Sequence, residues 1–233
     1  MLKKLLVGLA MLTSVSMYAV PTLNVYNFEV KNDKEASYKS ITEDYVNKTA
    51  IEQGVLGLFA TTDDRDKLNS YVIEIYNDYL AFSNHTKNQT SKDFKAVIPQ
   101  IAEGNLNSTE VDIQIAKDKK IEQNENTFTV YTVIDVKPEN NKEFTEIIKN
   151  RAETSFNENG TLLIYVGTER KNPNKWCLFE VYSDIDSYLN HRASSYFKEF
   201  ITQTKDMITE QKRYELQALK LVNKGGLDYK KLY

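Results

Sequence analysis

The chain has 233 residues, of which 41% are hydrophobic and 27% are charged, and its net charge is −3. These values are typical of a globular protein and exclude the fibrous and fully disordered classes. Thirty basic and 33 acidic side chains, without a basic block, argue against nucleic acid as a partner. A single cysteine, Cys177, excludes an internal disulfide and a cysteine-based metal cluster, so we expect no metal site.

The first nineteen residues have the pattern of a secretory signal peptide. Lys3 and Lys4 precede a short apolar run over residues 5–15, and Ala19 stands at the expected cleavage point. The apolar run is well short of the roughly 20 residues that a helix needs to cross a bilayer. We therefore expect residues 1–19 to be cleaved, the mature protein to be exported to the periplasm or beyond the cell, and no stable membrane insertion after cleavage.

The rest of the chain consists of two tandem copies of one sequence unit. A shift of 106 residues aligns residues 30–94 with residues 136–200 without a gap, and 14 of the 65 aligned positions are identical. Both histidines of the chain, His85 and His191, coincide in this alignment. The pattern predicts a first domain over residues 20–117, a polar linker over 118–126, a second domain over 127–223 and a tail over 224–233.

Each copy has the same order of predicted elements. In the second copy, alternating apolar and polar residues over 127–136 predict a strand, and a helix follows. Strands over 161–169 and 176–182 form a hairpin, a long helix is expected to extend to Ile208, and a strand over 214–222 completes the unit. This β-α-β-β-α-β order is typical of ferredoxin-like α+β domains.

The two copies are expected to pack against each other. Both helices of a ferredoxin-like unit cover the same sheet face, so the other face needs a partner. We predict that the two domains pack sheet to sheet as an internal dimeric α/β barrel, so that one chain builds what a single-copy relative builds as a homodimer. A higher oligomer remains open.

The second copy carries a family resemblance. A glycine-led second strand, an Asn172-Pro173 hairpin, a third strand ending in Glu180-x-Tyr182, then His191 and an aromatic-rich helix resemble the antibiotic biosynthesis monooxygenase family of dimeric α/β barrels. The resemblance covers both copies and implies this fold. It implies function less specifically, because relatives include quinol monooxygenases, enzymes that oxidise aromatic polyketides without a cofactor, haem-degrading enzymes and a phosphosugar isomerase.

Oxygenation without a cofactor needs an electron-rich substrate that, once deprotonated, passes an electron to molecular oxygen as co-substrate. The protein supplies a base, stabilisation of the anion and a dry pocket. His191 is the predicted base because an ordinary histidine titrates near neutrality, with Glu180 orienting it and Tyr182 donating to the substrate. The predicted substrate-binding residues are Trp176, Tyr165, Phe197 and Asn190, and the predicted second pocket contains His85, Glu74 and Tyr76.

Structural roles for these residues remain open. His191 can cap a helix or bond a loop carbonyl, and Glu180 and Glu74 can form ion pairs at the end of a sheet. Cys177 is expected to be a buried core residue rather than a nucleophile. The second copy keeps the hairpin and Trp176 of the family pattern, so we expect it to hold the active pocket if only one pocket is active.

The predicted function is oxidation of a quinol-like or other electron-rich aromatic molecule by an exported, cofactor-independent monooxygenase. The alternative is a non-catalytic protein that binds a small hydrophobic ligand, including haem, in the same pocket. Haem degradation is disfavoured because the helix after His191 contains no further histidine. A phosphorylated sugar needs a basic cluster, for which only Arg192 and Lys198 are candidates. The tail is either a flexible end or an arm that crosses to a neighbour.

Overall fold

The computed structural model describes residues 20–232, so the predicted signal peptide lies outside the described residues. The first repeat consists of β1 (Thr22–Val30), α1 (Glu35–Ala50), β2 (Val55–Asp63), β3 (Asn69–Tyr76), α2 (Tyr79–Lys87), α3 (Gln89–Ile101) and β4 (Ala102–Asp118). The second repeat consists of β5 (Phe128–Val136), α4 (Asn141–Phe156), β6 (Thr161–Glu169), β7 (Asn172–Tyr182), α5 (Ile185–Ala193), α6 (Ser195–Thr204) and β8 (Ile208–Asn223), and a short strand, β9 (Asp228–Lys230), lies in the tail.

The duplication predicted from the sequence is confirmed by these boundaries. Of the seven pairs of corresponding elements, six begin with the same offset of 106 residues, and only β3 and β7 differ. Their difference lies in the hairpin, where β7 starts earlier relative to the repeat. Within residues 20–232, none of the helices has the length and apolar character needed to span a bilayer.

Eight strands close into one antiparallel barrel, which confirms the predicted internal α/β barrel. The order around the barrel is β1-β3-β2-β8-β5-β7-β6-β4, and β4 pairs again with β1. Each repeat contributes the ferredoxin-like order of four strands, and the repeats join through the pairs β2–β8 and β4–β6. Closure therefore pairs the sheet edges that each repeat would otherwise expose to aggregation.

Side chains alternate between the barrel interior and the helices. On β7, Cys177, Phe179 and Val181 lie in the core inside the barrel, whereas Leu178 packs with α4 and α6 residues outside it. Because successive strand residues point to opposite faces, Glu180 also faces the helices. The functional residues predicted on β7 consequently lie between the sheet and the helical layer, not in the barrel interior.

Two consecutive N-caps divide the helical region after β7. The Asp184 carboxylate accepts a hydrogen bond from Ser187 N at 2.7 Å, and the Ser194 hydroxyl accepts one from Phe197 N at 3.3 Å. Each cap satisfies a backbone donor that the first helical turn leaves free. The second cap starts a new helix three residues after His191, so His191 lies in the last turn of α5.

The prediction that the last helix reaches Ile208 is wrong. Helix α6 ends at Thr204, and Ile208 is the first residue of β8. The strand is longer than predicted because it has two partners. Its first half pairs with β5 and its second half with β2, so the strand that closes the barrel must continue across both repeats.

The linker and the tail are both bound to the barrel. Ile121 is buried, and its backbone N–H donates to Asn223 Oδ1 at 2.9 Å. In the tail, β9 pairs antiparallel with residues Ile115, Ala116 and Lys117 of β4. The tail therefore folds back on its own chain, and it is neither a free end nor an arm to a neighbour.

Gly160 fixes the loop between α4 and β6. Its φ is +87°, a conformation that favours glycine, and its carbonyl accepts a hydrogen bond from Ser183 N at 2.7 Å. A Cβ at this position would lie 2.2 Å from Ser187 Oγ on α5. The close approach holds this loop, which includes Glu158, against the helix that carries His191.

We expect Gly160→Ala to lower the free energy of unfolding by roughly 2–4 kcal/mol, because a left-handed alanine and an overpacked contact both carry a cost. Gly104→Ala is the matched control, since Gly104 has φ +64° and a Cβ added there would meet no atom within 4 Å. The control is expected to lose only about 1–2 kcal/mol. Urea unfolding of both variants measures the difference, and equal losses would contradict the packing role of Gly160.

Candidate functional site

Glu180, Tyr182 and His191 lie close together at the end of β7. Glu180 and Tyr182 project from the helix-facing side of the strand, and His191 reaches toward them from α5. All three are buried, and His191 is only 1% exposed. Tyr182 OH donates a hydrogen bond to Glu180 Oε1 at 3.2 Å, and the Tyr182 and His191 ring centroids are 5.6 Å apart.

Arg151 on α4 connects Glu180 to His191. Its Nη2 group donates to Glu180 Oε1 at 2.7 Å and to His191 Nε2 at 2.9 Å. On the other side of the imidazole ring, Glu158 Oε2 lies 2.9 Å from Nδ1. Because arginine can only donate, Nε2 must be the acceptor and the ring proton must be on Nδ1, where it is donated to Glu158. These contacts define a neutral imidazole in one tautomer.

Burial and two cations favour the neutral form of His191. Burial, with Arg151 and Arg192 nearby, lowers the pKa of His191 to about 3. Burial is the largest single effect on the pKa of Arg151 and acts to lower it, but Glu180, Tyr182 and Tyr196 together raise it by more, so the guanidinium stays charged. Burial raises the pKa of the Glu158 carboxyl. At neutral pH the buried cation in contact with His191 is thus Arg151.

A small cavity lies beside Arg151 and Glu180, between the sheet and the helices. Its volume is about 20 Å³, enough for one water-sized group. Glu180 lines this cavity, whereas His191 does not. A wider cleft of about 350 Å³ between α4 and α6 reaches Arg151 and Tyr196 from outside. Among the described residues, no group of three or more His, Cys, Asp or Glu side chains is placed to hold a metal ion.

The first repeat has the same chain of contacts with one exchange. His85 Nδ1 lies 2.8 Å from Glu52 Oε2, and Tyr76 OH donates to Glu74 Oε2 at 2.8 Å. Tyr45 takes the place of Arg151: its hydroxyl lies 2.9 Å from His85 Nε2 and also donates to Glu74. The three residues predicted for a second pocket therefore also lie close together, with a neutral phenol where the second repeat has a guanidinium.

Comparison with known proteins places the chain in a family. Residues 127–203 match the family model for antibiotic biosynthesis monooxygenase. The solved structure of a candidate monooxygenase from Fusobacterium nucleatum subsp. nucleatum is 79% identical, covers 93% of this chain and 100% of its own, and has a TM-score of 0.89. The chain belongs to the antibiotic biosynthesis monooxygenase family.

Two more distant structures share the fold of this family member. A candidate monooxygenase from Lactobacillus acidophilus is 22% identical, with a TM-score of 0.83 over 90% of this chain and 99% of its own. An anthrone oxidase-like protein is 10% identical, with a TM-score of 0.61 over 89% of this chain and 94% of its own. A search of curated proteins gives no match.

The structure brings only one of the four predicted substrate-binding residues to the group of contacts around His191. Phe197 packs on His191, with ring centroids 4.9 Å apart, and lines the small cavity. Tyr165 lies in the barrel interior and donates to Asp118. Trp176 donates to Asn141 at the far end of β7, and Asn190 is exposed on α5. The roles assigned to these residues from sequence remain predictions.

Sequence reasoning did not assign a site role to Arg151, Glu158, Tyr196 or their counterparts in the first repeat. Tyr196 OH lies 2.8 Å from His191 Nδ1, next to the Glu158 contact. A signal existed for Glu158, because it is identical to Glu52 in the alignment of the repeats. No such signal existed for Arg151, whose counterpart is Tyr45.

We expect His191 to make the protein less stable in mild acid. The unfolded chain binds a proton at histidine with the ordinary pKa of 6.5, whereas folded His191 has a pKa of about 3, so protons favour the unfolded state as the pH falls below 6.5. Between pH 7 and pH 5 this contributes a loss of about 2 kcal/mol. Urea unfolding at several pH values measures it.

His191→Gln is the comparison variant, because glutamine can still accept from Arg151 and donate to Glu158 without titrating. Between pH 7 and pH 5 the unaltered protein should lose about 2 kcal/mol more unfolding free energy than His191→Gln does. Parallel curves for the two proteins would contradict a neutral, buried His191.

Proposed function

We propose that the protein is a cofactor-independent monooxygenase that oxidises an electron-rich aromatic small molecule, such as a quinol, in the second repeat. The observation that carries the proposal is the set of contacts Glu158–His191–Arg151–Glu180–Tyr182, buried except at Glu158, beside a cavity in the family-matched repeat. A carboxylate, a guanidinium and a phenol in a dry site are the groups that proton removal and anion stabilisation require.

Glu180 is the group best placed to take the substrate proton. It lines the cavity, whereas His191 does not, and both imidazole nitrogens are already engaged by Arg151 and Glu158. A general base must lie within hydrogen-bonding reach of the proton it removes. In this proposal His191 acts as a positioning residue that holds the Arg151 guanidinium, and the base role predicted for His191 passes to Glu180.

Arg151 stabilises the anion that proton removal creates. Its guanidinium lies 2.7 Å from Glu180, so it is adjacent to any hydroxyl that donates to that carboxylate. The ionised substrate then passes an electron to oxygen, and the two radicals combine. In the peroxide that forms, Glu180 returns the proton it took, the O–O bond and the adjacent C–H bond break, and the outer oxygen leaves as water. The other oxygen stays on the substrate as a carbonyl, and the substrate supplies all four electrons that O2 accepts. A buried site protects the radical pair from solvent.

The second repeat is favoured as the active one. The same positions in the first repeat hold Tyr45, Glu74 and His85, which lack a permanent cation next to the carboxylate. A neutral phenol offers less stabilisation to a developing negative charge than a guanidinium does. We therefore propose that the first repeat completes the barrel and that its pocket does not turn over substrate.

The geometry favours an aromatic substrate over haem. A haem iron would need a free imidazole nitrogen, and His191 Nε2 accepts a hydrogen bond from Arg151 while Nδ1 faces Glu158. Coordination through His191 would leave the Arg151 donor and the Glu180 carboxylate to find new partners in a buried site. We further propose that the enzyme acts after export, as the pattern of residues 1–19 indicates.

We expect Glu180→Gln to lower kcat for oxidation of 1,4-dihydroxynaphthalene by about 100-fold or more, because glutamine cannot accept the proton. Oxygen uptake above the autoxidation rate is the measurement. Glu74→Gln is the matched control in the first repeat and should change the rate by less than about twofold. Thermal unfolding of both variants shows whether each is folded.

Tyr182→Phe and Tyr76→Phe form a second matched pair that leaves both carboxylates in place. The first should reduce the rate by about tenfold, through loss of the hydroxyl that donates to Glu180, and the second should not change it. Equal effects of the two members of each pair would mean that both repeats react. Unchanged oxygen uptake in every variant would show that the site is not catalytic.

A further inference from the structure

Three arginines surround the small cavity of the second repeat. Arg151 lies at its inner wall, and Arg192 and Arg213 also line it. Arg151 is paired with Glu180, and Arg213 with Glu215 at 3.2 Å. Within residues 20–232 no carboxylate lies within ion-pair distance of Arg192. The cavity therefore has one guanidinium whose charge no protein carboxylate matches directly.

Arg192 is held by aromatic rings instead. Its guanidinium carbon lies 4.7 Å from the Phe197 ring centroid and 6.0 Å from that of Tyr188. The guanidinium carbon of Arg151 lies 5.2 Å from the centroid of the same Phe197 ring. Stacking on a ring face leaves the in-plane N–H donors of a guanidinium free for an anion. The cavity therefore combines the N–H donors of two guanidinium groups with the flat apolar surface of the Phe197 ring.

Two buried polar atoms at this cavity have no partner. Arg151 Nε and Tyr188 OH are both inaccessible, and neither has a hydrogen-bond partner among the described residues. Both residues line the cavity, and they are 6% and 5% exposed. An unsatisfied buried donor is costly, so each of these groups is expected to have a partner in the functional state. Both can donate to an anionic oxygen.

The first repeat has none of these cations. The 106-residue shift places Tyr45, Thr86 and Asn107 where the second repeat has Arg151, Arg192 and Arg213. Phe197 is likewise replaced by Ser91. Since the two halves share one scaffold, the fold itself does not require the arginines. Their presence on one side only indicates a ligand with negative charge.

We propose that the second repeat selects an aromatic substrate that carries a carboxylate, bound by Arg151 Nε, Tyr188 OH and Arg192. The proposal rests on the proposed function, because it names the substrate class of the same site. A volume of about 20 Å³ accepts the anionic oxygen alone. Entry of the ring requires Arg192 and Phe197 to move together toward solvent.

The test compares two ligands that share a ring and differ in charge. 1-Hydroxy-2-naphthoate carries a carboxylate and 1-naphthol does not, and calorimetric binding of either needs no turnover. We expect the naphthoate to bind at least tenfold more tightly than the naphthol to the unaltered protein. Arg192→Gln should reduce this preference to less than about threefold, because each charge-assisted contact is worth about a factor of ten.

Tyr188→Phe tests the inner contact without altering charge or packing. It should weaken naphthoate binding and leave naphthol binding unchanged. Arg170→Gln is the control, since Arg170 pairs with Glu110 and Asp112 of the first repeat and does not line the cavity. This variant should keep the full preference. Tyr188→Phe should leave the temperature of thermal unfolding of the ligand-free protein unchanged or raise it, because it removes a buried hydroxyl that has no partner within the described chain.

The outcomes separate this proposal from the proposed function. Equal affinity for the two ligands, no binding of either, or a preference that survives both Arg192→Gln and Tyr188→Phe would overturn anion selection. Oxygen uptake with neutral 1,4-dihydroxynaphthalene would still support the monooxygenase in that case. Conversely, selective naphthoate binding that the variants abolish, without oxygen uptake on any quinol, would support the anion site and overturn the catalytic function.

Discussion

The buried guanidinium of Arg151 sets the chemistry of the second repeat. A charge removed from water has to be paired, and Arg151 pairs with Glu180. The same Nη2 group also occupies the lone pair of His191 Nε2, which puts the imidazole proton on Nδ1 toward Glu158. One side chain therefore fixes the tautomer of the histidine, forms the ion pair with the carboxylate and places a positive charge beside both groups. The corresponding Tyr45 makes the same two contacts without the charge.

The duplication explains how the two halves can differ. In a homodimer every substitution appears twice, so a buried cation and its costs would be present in both pockets. In this chain the barrel interior is shared: residues of both repeats, such as Phe59 and Phe179, pack there with ring centroids 5.0 Å apart. The first repeat contributes to that core and to closure of the strand edges whatever its outer pocket contains. Arginines can consequently accumulate in one half while the scaffold remains intact.

Much of the fold was predictable because the same pattern of apolar and polar residues occurs in both repeats. The site was predictable only in part. Glu180, Tyr182 and His191 do lie close together, since two are on one strand face and the third follows a helix cap, and their roles remain predictions. Tyr165 was misplaced because only the pairing register shows that it lies opposite Phe179 and so faces the barrel interior. Arg151 gave no signal, because its position lies a full helix away in sequence and differs between the repeats. Packing between distant elements, not local pattern, brings it to the site.

In the proposed reaction, the charges at the site would remain balanced as a proton moves from the substrate to Glu180. Before reaction, Arg151 is paired with the Glu180 carboxylate. Transfer of a substrate proton to Glu180 neutralises that carboxylate and leaves the negative charge on the substrate oxygen, next to the same guanidinium. Arg151 then exchanges one anionic partner for another without entering water, so neither state contains an unpaired buried cation. The cost of reorganising the site is small for this reason, which is the condition under which preorganised electrostatics lowers a barrier. A tyrosine at this position, as in the first repeat, could not make that exchange.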